Sequence, residues 1–200
     1  AYELCWVGLV PRELPQDDPA LLVALRASRC CPVLLDAELR DAYVHKFCKC
    51  TSVSISPAPA CLPACLPVCM CCLKRSLCAH RLPPRPRAAY FWPLFHYILP
   101  APAFSMTWPQ MWAAYVRANH AFAAAIASVC TRPDAFVWMH NYHLMLVPGL
   151  LRSAAQHLRI GLFIHTPFPS SDLFGILPGR ESLLKSILSA DLIGFHTFDY

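Results

Sequence analysis

Histidines recur at one kind of place in this sequence. The apolar run FVWMH (Phe136–His140) ends on His140 and leads into Asn141, IGLFIH (Ile160–His165) ends on His165, and LIGF (Leu192–Phe195) leads into His196 and Thr197. Unrelated core histidines would be scattered along such runs, whereas these fall where each run stops. An imidazole nitrogen can donate or accept a hydrogen bond, and its charge changes near neutral pH. A row of them therefore suits proton transfer or the holding of a hydroxyl-rich ligand. The plain alternative is that they hydrogen-bond at strand ends and close a sheet. His140, His143 and His165 could also offer three nitrogens to zinc, but no carboxylate or cysteine pair stands beside them to complete a coordination sphere.

The second concentration of reactive side chains lies in residues 50–89, which hold seven of the 12 cysteines: Cys50, Cys61, Cys65, Cys69, Cys71, Cys72 and Cys78. Cys61, Cys65 and Cys69 would share a helical face, with His80 close behind. Zinc modules usually separate their cysteine pairs by a longer loop, and here the spacing is crowded and single-ended. The uncharged stretch Thr51–Leu73 is long enough to cross a bilayer, but Pro57, Pro59, Pro63 and Pro67 would each break a spanning helix at about 3 kcal/mol. The block is read as a low-complexity, poorly ordered Cys/Pro-rich insertion, with a metal site as the alternative. It also carries Lys74, Arg75, Arg81, Arg85 and Arg87 with no acid, which accounts for the whole net charge of +5. Neither the charge nor the thiols of the whole chain therefore point to a partner, and neither nucleic acid nor a membrane is expected.

The elements that must position the histidines follow from periodicity. A short strand is expected at Cys5–Leu9, a turn at Pro11–Pro15, and a helix from Asp17 or Asp18 through Arg29 with Leu21, Leu22 and Leu25 on one face. A strand over Cys30–Leu35 and a helix over Ala37–Phe47 follow. Beyond the insertion, Trp108–Cys130 reads as a long alanine-rich helix. The unalternating run Phe136–His140 reads as a parallel strand covered on both faces. Helical periodicity returns over Tyr142–Leu158, then a strand at Ile160–His165, a helix at Arg180–Ser189 and a strand at Leu192–Phe195. Strands and helices alternating at this spacing argue an α/β fold, a Rossmann-like doubly wound parallel sheet, in which ligands bind beyond the carboxyl ends of the strands.

Composition bounds the rest. With 200 residues, 56% apolar and only 14% charged, at a mean hydropathy of +0.41, the chain collapses into one domain. The domain is expected as residues 1–49 and 90–200 around the insertion at 50–89. No basic, then apolar, then small-residue leader is present, so the expectation is reduced thiols and a cytoplasmic location. Ala1 at the start and a strand-like stretch at the end are expected to be cuts in something longer.

The segments VWMHNYHLMLVPGLLR, IGLFIHTPFPSSDLFGILPGRESLLKSIL and ADLIGFHTFDY, with WPLFHYILP, CWVG and CCPVLLDAELRDAYVHKFCK before them, resemble the trehalose-6-phosphate synthase family. The resemblance covers the chain except residues 50–89. It implies the N-terminal domain of a GT-B glycosyltransferase, facing a second Rossmann-like domain. The implied reaction transfers glucose with retention from UDP-glucose to glucose 6-phosphate, giving trehalose 6-phosphate and UDP, with no metal and no cofactor. Trp6 and Trp92 match tryptophans lining the acceptor pocket, and His165 matches the histidine that contacts the donor glucose. Asn141 stands where active members carry an aspartate. Val44 stands where they carry a tyrosine, and Tyr43, one residue off, is not given that tyrosine's phosphate-contacting role. The glycine-rich loop that should precede Trp6 is missing, as is the nucleotide-binding second domain. The chain is therefore expected to be inactive alone, or to belong to a non-catalytic, sugar-phosphate-sensing member of the family.

Overall fold

The computed structural model describes residues 5–10, 18–48, 91–97, 107–132 and 134–195. The insertion at 50–89, the turn at 11–15, and His196 with Thr197 lie outside these residues.

Strand β1 (Trp6–Leu9) pairs in parallel with β2 (Cys30–Val33), Trp6 opposite Cys30 and Leu9 opposite Val33. Between them runs helix α1 (Pro19–Ala27), started by Pro19 and capped by the Asp18 carboxylate, which accepts from the Ala20 amide at 2.9 Å. Pro32 is tolerated in β2 because a two-stranded sheet consists of edges. Helix α2 (Ala37–Arg40) is capped by Asp36, which accepts from the Leu39 amide at 2.7 Å, and it continues without a break as a π-helical segment, Asp41–Cys48. The expected helix thus forms, with a wider final stretch that buries Tyr43, Val44, Phe47 and Cys48.

Helix α4 (Trp108–Val129) follows the short helix α3 (Phe91–Phe95). One stripe of α4, Met111, Ala114, Tyr115, Ala118, Asn119, Phe122, Ala123 and Ile126, is buried at helical spacing. That stripe packs against the first sheet, the π-helical segment and helix α5 (Val147–Ala154), so α4 joins the two halves of the chain. Phe47, Phe91 and Tyr115 form an aromatic centre, with ring centroids 4.5 Å apart for Phe47–Phe91 and 5.1 Å for Phe91–Tyr115.

The second sheet contains β3 (Phe136–His140), β4 (Arg159–Ile164) and β5 (Leu192–Phe195), all parallel, in that order. A steady order joined by right-handed crossovers puts both crossover helices on one face. Accordingly α5 touches α7 (Arg180–Ile187), where the Gly149 amide donates to Ser186 Oγ at 2.8 Å and a Cβ on Gly149 would come within 3.1 Å of Ser186. Helix α6 (Ser171–Gly175) lies between β4 and α7 in the chain.

Two expectations change here. The run Phe136–His140 is not covered on both faces: Val137 and Met139 are buried, while Phe136 and Trp138 are 49% and 42% exposed. The physical reason is the one-sided winding, which among the described residues leaves the other face without a helix. The helical stretch after β3 is divided as well, into a 3-10 turn at Tyr142–Leu144 and α5, because Pro148 suits only a helix start.

Candidate functional site

The carboxyl ends of β3 and β4 lie side by side, with His140 opposite Phe163. This register brings His140 and His165 together. His140 Nδ1 is 2.7 Å from His165 Nε2, and the rings meet edge to edge, centroids 4.9 Å apart and planes 25° from parallel. Trp138 stacks on the His140 ring at 6.0 Å and Phe163 stands 4.9 Å from His165, so both imidazoles lie in an aromatic layer on the open face of the sheet. Gly161 and Gly194 make room for that layer, since a Cβ on either would strike the ring of Phe136 or Phe163. His140 is 8% exposed, whereas His165 is exposed to solvent. Burial, and then the neighbouring His165, push the His140 imidazole down to about 4. His140 Nε2 and Thr166 Oγ1 are buried with no hydrogen-bond partner among the described residues.

Asn141 turns the chain out of β3 at φ 70° and ψ 168°, a region that side chains other than glycine enter at roughly 1–3 kcal/mol. Its backbone amide donates to Phe163 O at 2.7 Å, tying the loop to β4, and its Oδ1 accepts from the Tyr142 amide at 3.0 Å. Strain held beside two hydrogen-bonded histidines at a sheet's carboxyl edge makes this edge the candidate site.

The loop after Asn141 is held from beneath by a buried polar network. Asn119 Nδ2 donates to Tyr115 O and His143 O, and Asn119 Oδ1 accepts from the Leu146 amide at 3.2 Å. Tyr115 Oη donates to Tyr142 O at 2.8 Å and accepts from the Met145 amide, while Tyr43 Oη donates to His143 O at 2.8 Å. Burial pushes both phenols well above their ordinary range, so they remain neutral donors. Tyr43 is fully buried and its hydroxyl is committed to the loop, so it has no route to a phosphate. Asn119 and Tyr115 were not singled out in the sequence, although a polar Asn119 on the apolar stripe of α4 was a readable signal.

Helix α3 closes the site from the side. Phe95 stacks on Tyr142 at 4.8 Å and meets Phe168 edge-on, and Tyr97 Oη donates to Phe168 O at 3.1 Å. The same helix carries Trp92, half-buried and stacked on His96 at 4.3 Å, with His96 Nδ1 donating to Trp92 O at 2.6 Å. The structure places Asn141 and His165 at adjoining strand ends, and α3, which carries Trp92, packs on Tyr142 through Phe95. Trp6 is not brought together with them: it opens β1, at the amino end of the strand, where its amide donates to Arg29 O. Among the described residues, no group of three His, Cys, Asp or Glu side chains could hold a metal ion.

A Rossmann-like α/β domain whose carboxyl edge presents imidazole, amide and aromatic groups defines a protein built to hold a polar small molecule. The family model for glycosyltransferase family 20 matches residues 87–200, more than half of the chain, and the chain belongs to that family. It is 35% identical over 204 residues to alpha,alpha-trehalose-phosphate synthase (UDP-forming) 6 of Arabidopsis thaliana, covering 100% of this chain and 19% of that protein. It is 37% identical to alpha,alpha-trehalose-phosphate synthase (UDP-forming) of Yarrowia lipolytica, covering 98% of this chain and 34% of that one. A solved trehalose-6-phosphate synthase, studied with bisubstrate glycomimetics, matches with a TM-score of 0.55 at 22% identity over 97% of this chain and 40% of its own, which shows the fold. The parallel α/β architecture is that of the N-terminal domain of these GT-B enzymes. The chain spans 19% to 34% of the length of these two curated relatives.

Proposed function

We propose that this chain is the acceptor-side half of a UDP-glucose-dependent glucosyltransferase of trehalose biosynthesis, and that the carboxyl edge of β3 and β4 binds the sugars. The whole reaction joins the donor glucose to the anomeric hydroxyl of glucose 6-phosphate with retention, releasing UDP. The observation that carries this reading is the convergence of exposed His165, strained Asn141 and the Trp92 helix on one edge of the sheet. Imidazole and amide groups suit sugar hydroxyls, and flat rings suit a sugar's C–H face. The family and the names of both relatives support it. Trp6 joins the acceptor pocket in this reading only if the assembled enzyme folds it there.

Imidazole, amide and aromatic groups stand at this edge, while a departing diphosphate needs cationic partners. We therefore expect the chain alone to bind glucose 6-phosphate without transferring glucose to it. The expected test is calorimetric titration with glucose 6-phosphate beside an assay of UDP release from UDP-glucose. Binding that His165→Ala or Trp92→Ala weakens supports the reading, and turnover by the chain alone overturns its second clause.

The neutral amide at position 141 favours a second, regulatory reading, in which the protein senses a sugar phosphate without catalysis. Under it, Asn141→Asp changes affinity but restores no transfer in a protein that also carries a nucleotide-binding half. Among the described residues no helix is long and apolar enough to cross a membrane, and Cys5, Cys30, Cys31, Cys48 and Cys130 are free thiols.

A further inference from the structure

We propose that His140 is a positioning residue that fixes the ring and the proton of His165, so that His165 meets its sugar ligand as an Nδ1–H donor. The inference rests on the sugar-site reading and concerns how that site is set.

Between His140 Nδ1 and His165 Nε2, 2.7 Å apart, there is room for one proton. If His165 Nε2 carried it, His140 would accept at Nδ1 and, as a neutral ring, hold its own proton on Nε2. That atom is buried with no hydrogen-bond partner among the described residues, and an orphaned buried N–H is among the rarest features of folded proteins. A lone pair left in the same place is tolerated far better. The proton therefore belongs to His140 Nδ1, which donates to His165 Nε2. A neutral His165 must then carry its hydrogen on Nδ1, and its ring presents a donor to a ligand oxygen instead of a lone pair. Burial keeps His140 neutral through the physiological range, so the arrangement persists there.

The geometry locks orientation too. His140 lies nearly parallel to Trp138, at an interplanar angle of 15°, and nearly coplanar with His165, at 25°, the two imidazoles meeting edge to edge. His165 is the exposed member of the pair, and its backing is the buried one. The contact with His140 restrains this exposed ring, which spares ordering entropy when a ligand binds.

The test records long-range proton–nitrogen spectra of the imidazoles in the ligand-free protein, together with calorimetry using UDP-glucose and glucose 6-phosphate as probes. The expected wild-type spectrum shows His165 protonated on Nδ1. His140→Phe keeps a ring without a donor, so His165 should revert to Nε2–H and sugar affinity should fall about tenfold, the worth of one hydrogen bond. His140→Asn restores a donor near the Nδ1 position and should recover both the tautomer and most of the affinity. A wild-type His165 protonated on Nε2 overturns the proposal whether or not any variant folds. So does a folded His140→Phe protein that binds like wild type. If His165→Ala binds both sugars unchanged, the sugar-site reading fails instead, while the wild-type spectrum still decides the positioning role.

Discussion

At the amino ends of β4 and β5, Arg152 donates to Gln156 O, Leu158 O and Ser189 O and to Asp191 Oδ2 at 2.8 Å, and Asp191 Oδ2 also accepts from the Ile160 amide at 2.7 Å. At the carboxyl ends of β3 and β4, Asn141 is strained, and His140 Nε2 and Thr166 Oγ1 are buried without hydrogen bonds among the described residues. Among the described residues, one end of the sheet thus carries an ion pair that consumes hydrogen-bonding capacity, and the other leaves some unused. Folding alone favours the first arrangement. Backbone strain such as that at Asn141 clusters at functional sites, where the surrounding structure holds it in place.

The largest effect that sharpens this contrast comes from acid. His140 has a folded value of about 4 against an ordinary 6.5, so the unfolded chain binds the extra proton first. Stability is complete above pH 6.5 and falls by up to about 3 kcal/mol as pH drops toward 4. Urea unfolding between those limits reads this, and His140→Phe should flatten the curve. Next, Asn119→Ala removes two hydrogen bonds to the loop beneath the site and one within its own helix, and should destabilise by about 2–3 kcal/mol in the same experiment. Arg152→Met, at the opposite end, should lower stability by about 2 kcal/mol with sugar binding unchanged. Loss of binding in that variant would break the division between the two ends.

Asn141→Gly tests the strain in the other direction. Glycine accepts φ 70° freely, and replacing an Asn cap by Gly costs only a few tenths of a kcal/mol. The variant should therefore gain about 1 kcal/mol by thermal unfolding while losing sugar affinity. The smallest effect belongs to Asp191, whose carboxyl is held below its ordinary value first by the Ile160 amide and then by Arg152. Its contribution is present above the ordinary carboxylate range and lost as pH falls through the folded value. Asp191→Asn should remove a minor part of the acid sensitivity there, the group being exposed and screened.

The strands and their polar ends were legible because an uninterrupted apolar run that stops on histidine marks both burial and its limit. Phe136–His140 and Leu192–Phe195 stand in the structure with the bounds that the runs indicate. What covers a strand is not written in the strand. Phe136 and Trp138 have the composition of a doubly covered run, and their exposure follows from the order of β3, β4 and β5, a long-range property. The π-helical turn at Asp41–Cys48 has no local signature either, since the same residues suit an α-helix. At the site, His165 and Asn141 were readable from position, while the His140–His165 contact depends on register across two strands. Trp6 was placed in the acceptor pocket by resemblance, and the geometry of β1 sets it at the amino end of its strand.

The central claim is that the ligand belongs to the carboxyl end of the second sheet. Amide shift mapping of the protein titrated with glucose 6-phosphate tests it most directly. Saturable shifts are expected around Trp92, Asn141 and His165, with none around Arg152 and Asp191. Shifts clustered at the Arg152–Asp191 end, or no shifts at saturating sugar phosphate, would contradict it.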